Sequence, residues 1–459
     1  MHFDGETSMH QERQKMAQET GWPVCFFLGC SLVFLMMVPA RAQSVAEPGP
    51  VLHLADQRLP DARLIDITET GGFIFQLGGQ AGGTLRTFGS DQIVRWGKQR
   101  ASSGSALVWL ADGSWLAGEL QWKTEQTFEL VSDWFAPTEL AMSQVRGLVL
   151  QPSPSLRRFS ELETEMLRAT GSADVIWNAR SEQLSGVLSL RLQPAIDAGL
   201  PPSVGWLLKT TAAAEAVELE SGAIQAIVLS PILRRPVRVP PRAVQWNLRD
   251  GSQLNVIATS RTPEGRVRLT LADQRVLTAL DNSTQFATAV ARIKAEPETV
   301  QWLSDLEPAR YRFAEEPGEL TWRLGRNEDL YGEPLMISGE GVPHGIAMHA
   351  SSQVAYRWDG RAAKLLAEVN LYGTREGLPT PIGSAECKVL VARDGKLVEI
   401  FQSPVLRTTT PAVPIELDVS DAQLIVLLVE QADQGRIGDQ VLWRDVRLVP
   451  MSETRTQPR

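Results

Sequence analysis

Leu107-Val-Trp-Leu-Ala-Asp-Gly-Ser-Trp-Leu-Ala-Gly-Glu-Leu120 decides the fold class. Apolar residues alternate up to Asp112-Gly113, a dipeptide suited to the positive φ angles of a two-residue hairpin turn. Period-two alternation resumes beyond the turn through Leu116, Gly118, Leu120 and Trp122. A further strand is expected around Thr127–Val131, and Gln144–Leu150 closes the unit. Four or five short antiparallel strands in about 50 residues bury too little surface to stand alone. Such a unit is expected to curl into a small barrel or to pack against a neighbour.

The stretch recurs along the first half of the chain. At a shift of 56 residues, Leu54-Ala55-Asp56 falls on Leu110-Ala111-Asp112. At a shift of 68, Trp109, Leu116, Gly118 and Leu120 fall on Trp177, Leu184, Gly186 and Leu188. At a shift of 138, Asp112-Gly113-Ser114 falls on Asp250-Gly251-Ser252. The endings also agree, with Ser143–Leu150 matching Gly222–Leu229 and Ser90–Val94 a shorter echo. Self-similarity of this kind marks a tandem array. Four β repeats are expected, at 50–98, 99–152, 172–234 and 235–295. Trp109 and Trp177, in equivalent positions, read as core pegs. Asp112 and Asp250 read as turn residues with no catalytic part.

Residues 153–171 break the β pattern. Leu156, Phe159, Leu162, Met166 and Leu167 recur at helical spacing and Gly171 is placed to stop a helix. An amphipathic helical connector is expected, packed across the β units as a strut. Arg234–Arg242 is a short basic, Pro-rich connector.

Near the N-terminus, Val24–Val38 is an apolar run of signal-peptide length, followed by Pro39-Ala40-Arg41-Ala42 with small residues where A-x-A cleavage requires them. Residues 1–42 are therefore expected to be a signal peptide. The protein would then be exported, to the periplasm or outside the cell, or membrane-anchored if the segment stays uncleaved. Cys25 and Cys30 lie in this run, which leaves Cys387 without an internal disulfide partner. No zinc-type Cys/His spacing is present, so no metal ligands are assigned.

The last third carries a different pattern. Glu386–Arg393, Leu397–Phe401, Ile415–Val419 and Leu424–Val429 are strand-like runs separated by Asp-Gly, Pro and Asp-Ala turns. Within it stand Trp302-Leu-Ser-Asp-Leu-Glu-Pro-Ala309, Gly332–Gly339, His344-Gly-Ile-Ala-Met-His-Ala-Ser-Ser352 and Val354–Trp358. Lys388–Gly395, Ser403–Leu406, Pro414–Val419 and the ending Asp439-Gln-Val-Leu-Trp-Arg-Asp-Val-Arg-Leu448 follow. In this order the segments resemble the NPCBM family of carbohydrate-binding modules. The resemblance implies a galactose-binding-like, jelly-roll β-sandwich over 296–452, with a polar tail at 453–459. It also implies sugar recognition by loops at one end, and it admits calcium as a cofactor.

His349, Asp439 and Trp443 match family motif positions, and Tyr331 and Tyr372 are nearby aromatics whose chemistry suits a sugar ring. For His349 a loop-fixing role, and for Trp443 a core role, stand as open alternatives. Two departures bear on the ligand. Asn370-Leu371-Tyr372 stands where the family has an acidic loop, and Gln440 and Leu442 stand where it commonly has His and Asp.

The whole chain is thus expected to be mainly β: tandem small antiparallel barrel-like repeats, one bridging helix, then a sandwich. Its formal charge of -9 offers no basic footprint for nucleic acid. No nucleophile elbow, phosphate loop or dinucleotide fingerprint is present. The function expected is exported, non-catalytic binding of a glycan or polysaccharide. The alternative is a structural or protein–protein interaction protein of the envelope whose sugar site has been lost.

Overall fold

The computed structural model describes residues 49–78, 83–102, 104–193, 203–210, 215–234, 236–314, 321–337, 339–361, 363–372, 383–433 and 437–451. The expected signal peptide, 1–42, and the polar tail, 453–459, lie outside the described residues. Mainly antiparallel β-structure is found, with two α-helices among these residues.

Backbone pairing shows why the first half repeats. Each unit has a first strand: Leu52–Leu54, Ala106–Leu110, Asp174–Asn178 or Val244–Leu248. Each also has a closing strand: Ile93–Gly97, Val145–Val149, Ile224–Val228 or Val290–Lys294. In all four the closing strand returns antiparallel to the first, with a register shift at the same point. The intervening strands form a meander, in the second unit Trp115–Trp122, Thr127–Val131 and Thr138–Ala141.

The units do not close as barrels. The free edge of each closing strand takes the closing strand of another unit. The first pairs with the fourth through Arg292↔Gly97 and Ile293↔Trp96, and the second with the third through Leu148↔Ile227. Pairing between units satisfies edge N–H and C=O groups that an isolated unit would leave open.

The two pairs are joined through their matching hairpin turns. Asp112 accepts from Ser114 N at 2.9 Å and from its hydroxyl at 2.9 Å; Asp250 does the same with Ser252 at 2.8 and 3.1 Å. Each serine oxygen then accepts from the opposite unit, Ser114 Oγ from Asn255 N and Ser252 Oγ from Ala117 N, both at 2.9 Å. Gly113 and Gly251 supply the positive φ angles of +82° and +96° that these turns need.

Beneath this shared architecture the outer faces diverge. The register shifts make Trp109, Trp177, Asn247 and His53 equivalent, opposite Gly147, Ala226, Arg292 and Arg95 respectively. On the second–third pair this face is apolar, with Leu107, Trp109, Val149, Trp177 and Val228 all buried. The Leu156–Arg168 helix covers it with Phe159, Leu162 and Met166. That helix is N-capped by Ser155, whose side chain accepts from Arg158 N. On the first–fourth pair the same face carries His53, Arg95, Asn247, Arg292 and Lys294. Its cover is the C-terminal sandwich.

The sandwich has two antiparallel sheets. One runs Gly325–Arg326, Gly345–His349, Gln440–Pro450, Ala363–Leu371, Val413–Asp418, with Gln301–Trp302 also beside Gln440–Pro450. The other runs Arg310–Phe313, Ser352–Arg357, Leu424–Gln431, Ala385–Arg393, Lys396–Gln402. Their inner faces form one core containing Met348, Val369, Cys387, Leu427 and Trp443.

Simple alternation would put Trp443, Asp445 and Arg447 on one face. The backbone breaks that parity. Asp445 takes φ 52°, and the register steps from Glu368↔Arg444 to Leu366↔Arg447, so the closing strand holds one extra residue. Val441 and Trp443 before the bulge, and Val446 and Leu448 after it, all face the core. Asp445 and Arg447 are turned out, toward the array.

There they meet the polar face. Arg95 donates from Nε to Asp445 at 2.6 Å and from Nη2 to Glu368 at 2.5 Å, and Arg58 reaches Glu368 at 2.9 Å. Arg447 donates to the carbonyls of Ala55 and Leu54 at 3.0 and 2.9 Å. Burial would raise Asp445, yet Arg95 and Arg444 overrule it and hold the carboxyl well below the usual range. Burial first, and Arg95 second, keep His53 neutral.

The interlocked turns generate a pH prediction. Burial raises Asp250 from 3.8 to about 6. A raised carboxyl keeps its proton in the folded chain after the unfolded chain has released it, so this group's contribution to stability falls as pH rises from about 4 through 6. Asp250→Asn removes the titration. Its stability relative to the native chain should therefore improve between about pH 4 and pH 7, by up to about 3 kcal/mol at about 1.4 kcal/mol per pKa unit. Urea unfolding across that range checks it; a gap independent of pH contradicts it.

Candidate functional site

Strand register gathers the site at one end of the sandwich. Gly345–His349 ends with His349 opposite Gln440, the first residue of the closing strand. Ala363–Leu371 ends with Leu371 opposite Val441, and the next residue, Tyr372, donates its N–H to Gln440 O at 2.6 Å. Three strand ends therefore bring His349, Gln440 and Tyr372 together without any long loop having to place them.

Aromatic rings from the preceding segment complete the cluster. Trp322 stacks on His349, with centroids 4.7 Å apart and planes 3° from parallel. Tyr331 meets Trp322 edge-on at 5.7 Å, and Phe313 meets His349 at 6.1 Å. Tyr311 fixes the Trp322 backbone by donating its hydroxyl to Trp322 O at 3.0 Å. Gln440 Nε2 donates to the Tyr331 hydroxyl at 3.2 Å. Because a carbonyl only accepts, the 2.5 Å contact of His349 Nδ1 with Ala350 O puts a proton on Nδ1.

The five residues expected from sequence lie at different depths. Tyr331 is 55% exposed and Tyr372 half-buried, its hydroxyl 3.5 Å from Met336 N. His349 is buried and backs the half-buried Trp322. Asp439 is fully buried in a backbone brace: its Oδ1 accepts from Ser384 N at 2.7 Å and its carbonyl from Ala350 N at 3.1 Å. Trp443 is fully enclosed in the sandwich core.

Trp322 and Gln440 stand out among the members of the cluster that have no counterpart in those expectations. Trp322 lies outside every motif segment, and only its being aromatic could have drawn notice. Gln440, which reads in sequence as a lost histidine, supplies the planar amide beside the exposed Tyr331 ring. Next to the cluster, an open groove passes Phe313, Thr321, Ser351, Gln353 and Glu430. An exposed aromatic face with an amide and hydroxyls around it suits a polyhydroxylated ring.

Among the described residues no three His, Cys, Asp or Glu side chains converge, and Asn370 turns its amide to Leu371 O at 2.9 Å. No step is assigned to a metal.

Among curated proteins none matches the chain. Solved structures similar to it include a CBM51 module from Clostridium perfringens GH95 in complex with methyl-galactose. That module is 17% identical, over 33% of this chain and 99% of that one, at a TM-score of 0.27. The CBM51-2 and INT domains of Clostridium perfringens ZmpB, in complex with GlcNAc, are 16% identical over 58% of this chain, at a TM-score of 0.29; this chain spans 49% of that one. The tandem CBM51 modules of the family 98 glycoside hydrolase of Streptococcus pneumoniae are 12% identical over 81% and 87%, at a TM-score of 0.28. The sequence profile of the NPCBM/NEW2 domain matches residues 299–449. The C-terminal region, a β-sandwich built on the Trp302–Leu448 motifs, thus resembles the NPCBM family.

Proposed function

We propose that this is an exported, non-catalytic protein that recognises a neutral glycan at the His349 end of its sandwich. The observation that carries the proposal is the convergence of Tyr331, Trp322, His349 and Gln440 inside the region matched to the NPCBM/NEW2 domain. Tyr331 offers the stacking face, Gln440 orients its hydroxyl, and His349 holds Trp322 from behind. Export rests on the Val24–Ala42 segment. The lack of catalysis rests on the absence of any nucleophile–base motif in the sequence.

One observation favours the second reading, a protein–protein contact module of the envelope. His349, Asp439 and Trp443, the three residues at family motif positions, are all buried. A sugar site must therefore be built from other side chains, chiefly the exposed Tyr331, since Gln440 is as buried as His349 and acts by holding the Tyr331 hydroxyl.

Isothermal titration of the whole chain separates the readings. The isolated sandwich is unsuitable, because Glu368, Asp445 and Arg447 would lose the partners that cover them. Methyl-galactoside and GlcNAc are the first probes, since the similar Clostridium modules were solved with such sugars. Saturable heat is expected, weakened about tenfold by Tyr331→Ala through loss of one aromatic contact. Trp443→Phe should leave affinity unchanged. A folded chain that gives no saturable heat with either sugar or with a broad glycan array contradicts the proposal and leaves the protein-contact reading.

A further inference from the structure

The sandwich covers only part of the polar face of the first–fourth pair. Beside the Arg95 network a cleft of about 300 Å³ opens between that face, the Leu156–Arg168 helix and the turn around Gly339–Pro343. This lies within the usual size range of small-molecule pockets. Its floor is set by register. Asn247 pairs with both Gln253 and Arg292, and Gln245 pairs with Lys294. Directly opposed residues in an antiparallel sheet share a face. Gln253, Asn247, Arg292, Gln245 and Lys294 therefore form one polar layer, where the second–third pair has Trp109 and Trp177; all of them but the buried Asn247 line the cleft.

Three features set this layer apart from an ordinary buried interface. First, Asn247 is 1% exposed, and neither atom of its amide has a hydrogen-bond partner. A native interior rarely leaves such a group unpaired. Second, the charges are unbalanced. Arg58, Arg95, Arg292, Lys294, Arg444 and Arg447 meet Glu296, Glu340, Glu368 and Asp445. The fifth carboxyl, Glu163, is pushed up by burial toward its neutral form while Trp115 Nε1 donates to it at 2.8 Å. Third, one of the two cations at the cleft is only loosely paired. Arg292 pairs with Glu340 at 2.8 Å, but Lys294 reaches Glu296 only at 3.7 Å.

We propose that this cleft binds a small polyhydroxylated anion of the uronic-acid class. Its carboxylate would lie against Lys294 and Arg292, and its hydroxyls against the carboxamides of Gln245, Gln253 and Gln99. Amide side chains suit hydroxyls because each both donates and accepts. Ammonium and guanidinium groups select the acid over a neutral sugar. The site is separate from the Tyr331 cluster and would stand if that cluster bound nothing.

The test is titration of the whole chain with galacturonate and glucuronate, with methyl-galactoside as neutral control. Saturable uronate binding is expected, and methyl-galactoside should not compete with it. Lys294→Met and Gln245→Leu should each weaken it about tenfold, as loss of a charge-assisted or buried hydrogen bond does. Tyr331→Ala should leave it unchanged. Circular dichroism identifies any variant that fails to fold, and the Gln245 variant keeps the test decisive if the Lys294 variant is one. The proposal is overturned if the folded chain binds neither uronate. It is equally overturned if binding survives both cleft variants, or is lost with Tyr331→Ala, which would move the acidic sugar to the sandwich end.

Discussion

The Arg95 guanidinium, shared between Asp445 and Glu368, is the contact on which the arrangement of the molecule depends. It joins a strand of the repeat array to two strands of the sandwich in a setting that excludes most water. Such groups are costly to bury, and removing one partner leaves an uncompensated charge, a loss of roughly 3–5 kcal/mol. Buried pairs of this kind add little net stability relative to apolar packing of the same volume. Here they distinguish two faces that share a backbone design. The apolar face of the second–third pair attracts an amphipathic helix, and the charged face of the first–fourth pair attracts the sandwich.

This division follows from a few substitutions at equivalent positions. Trp109 and Trp177 stand opposite Gly147 and Ala226, small residues that leave room for an indole. At Gly147 a Cβ would meet Ile227 O at 2.5 Å and the Trp109 ring at 3.2 Å. His53 and Asn247 stand instead opposite Arg95 and Arg292. One repeat fold thus yields a hydrophobic dock and an ionic dock. The bulge at Asp445 completes the second by turning Asp445 and Arg447 out of the sandwich.

Much of the fold was legible in the sequence because its punctuation is local. Asp112-Gly113 and Asp250-Gly251 announce hairpins, and the helical spacing of Phe159, Leu162 and Met166 announces the strut. What could not be read is long-range. Nothing local shows that closing strands pair first with fourth and second with third, since edge strands of similar composition could pair in any order. The bulge at Asp445 was equally hidden, since alternation alone puts Asp445 and Arg447 on the core face with Trp443. At the candidate site, Tyr331 and Tyr372 were visible as aromatics near family motifs. Trp322 and Gln440 gain their meaning only from three strand ends meeting around His349.

The sandwich end and the array are therefore parts of one body, and ligands at either site would be presented in a fixed relation. That depends on the Arg95–Asp445 contact coupling them. A double-mutant cycle of Arg95→Met and Asp445→Leu, followed by chemical denaturation, measures the coupling directly. A buried charge pair in contact predicts a coupling energy of about 1.5 kcal/mol or more, within the span found for neighbours. Additivity of the two substitutions within about 0.5 kcal/mol, the behaviour of independent sites, would contradict a molecule held together by this network.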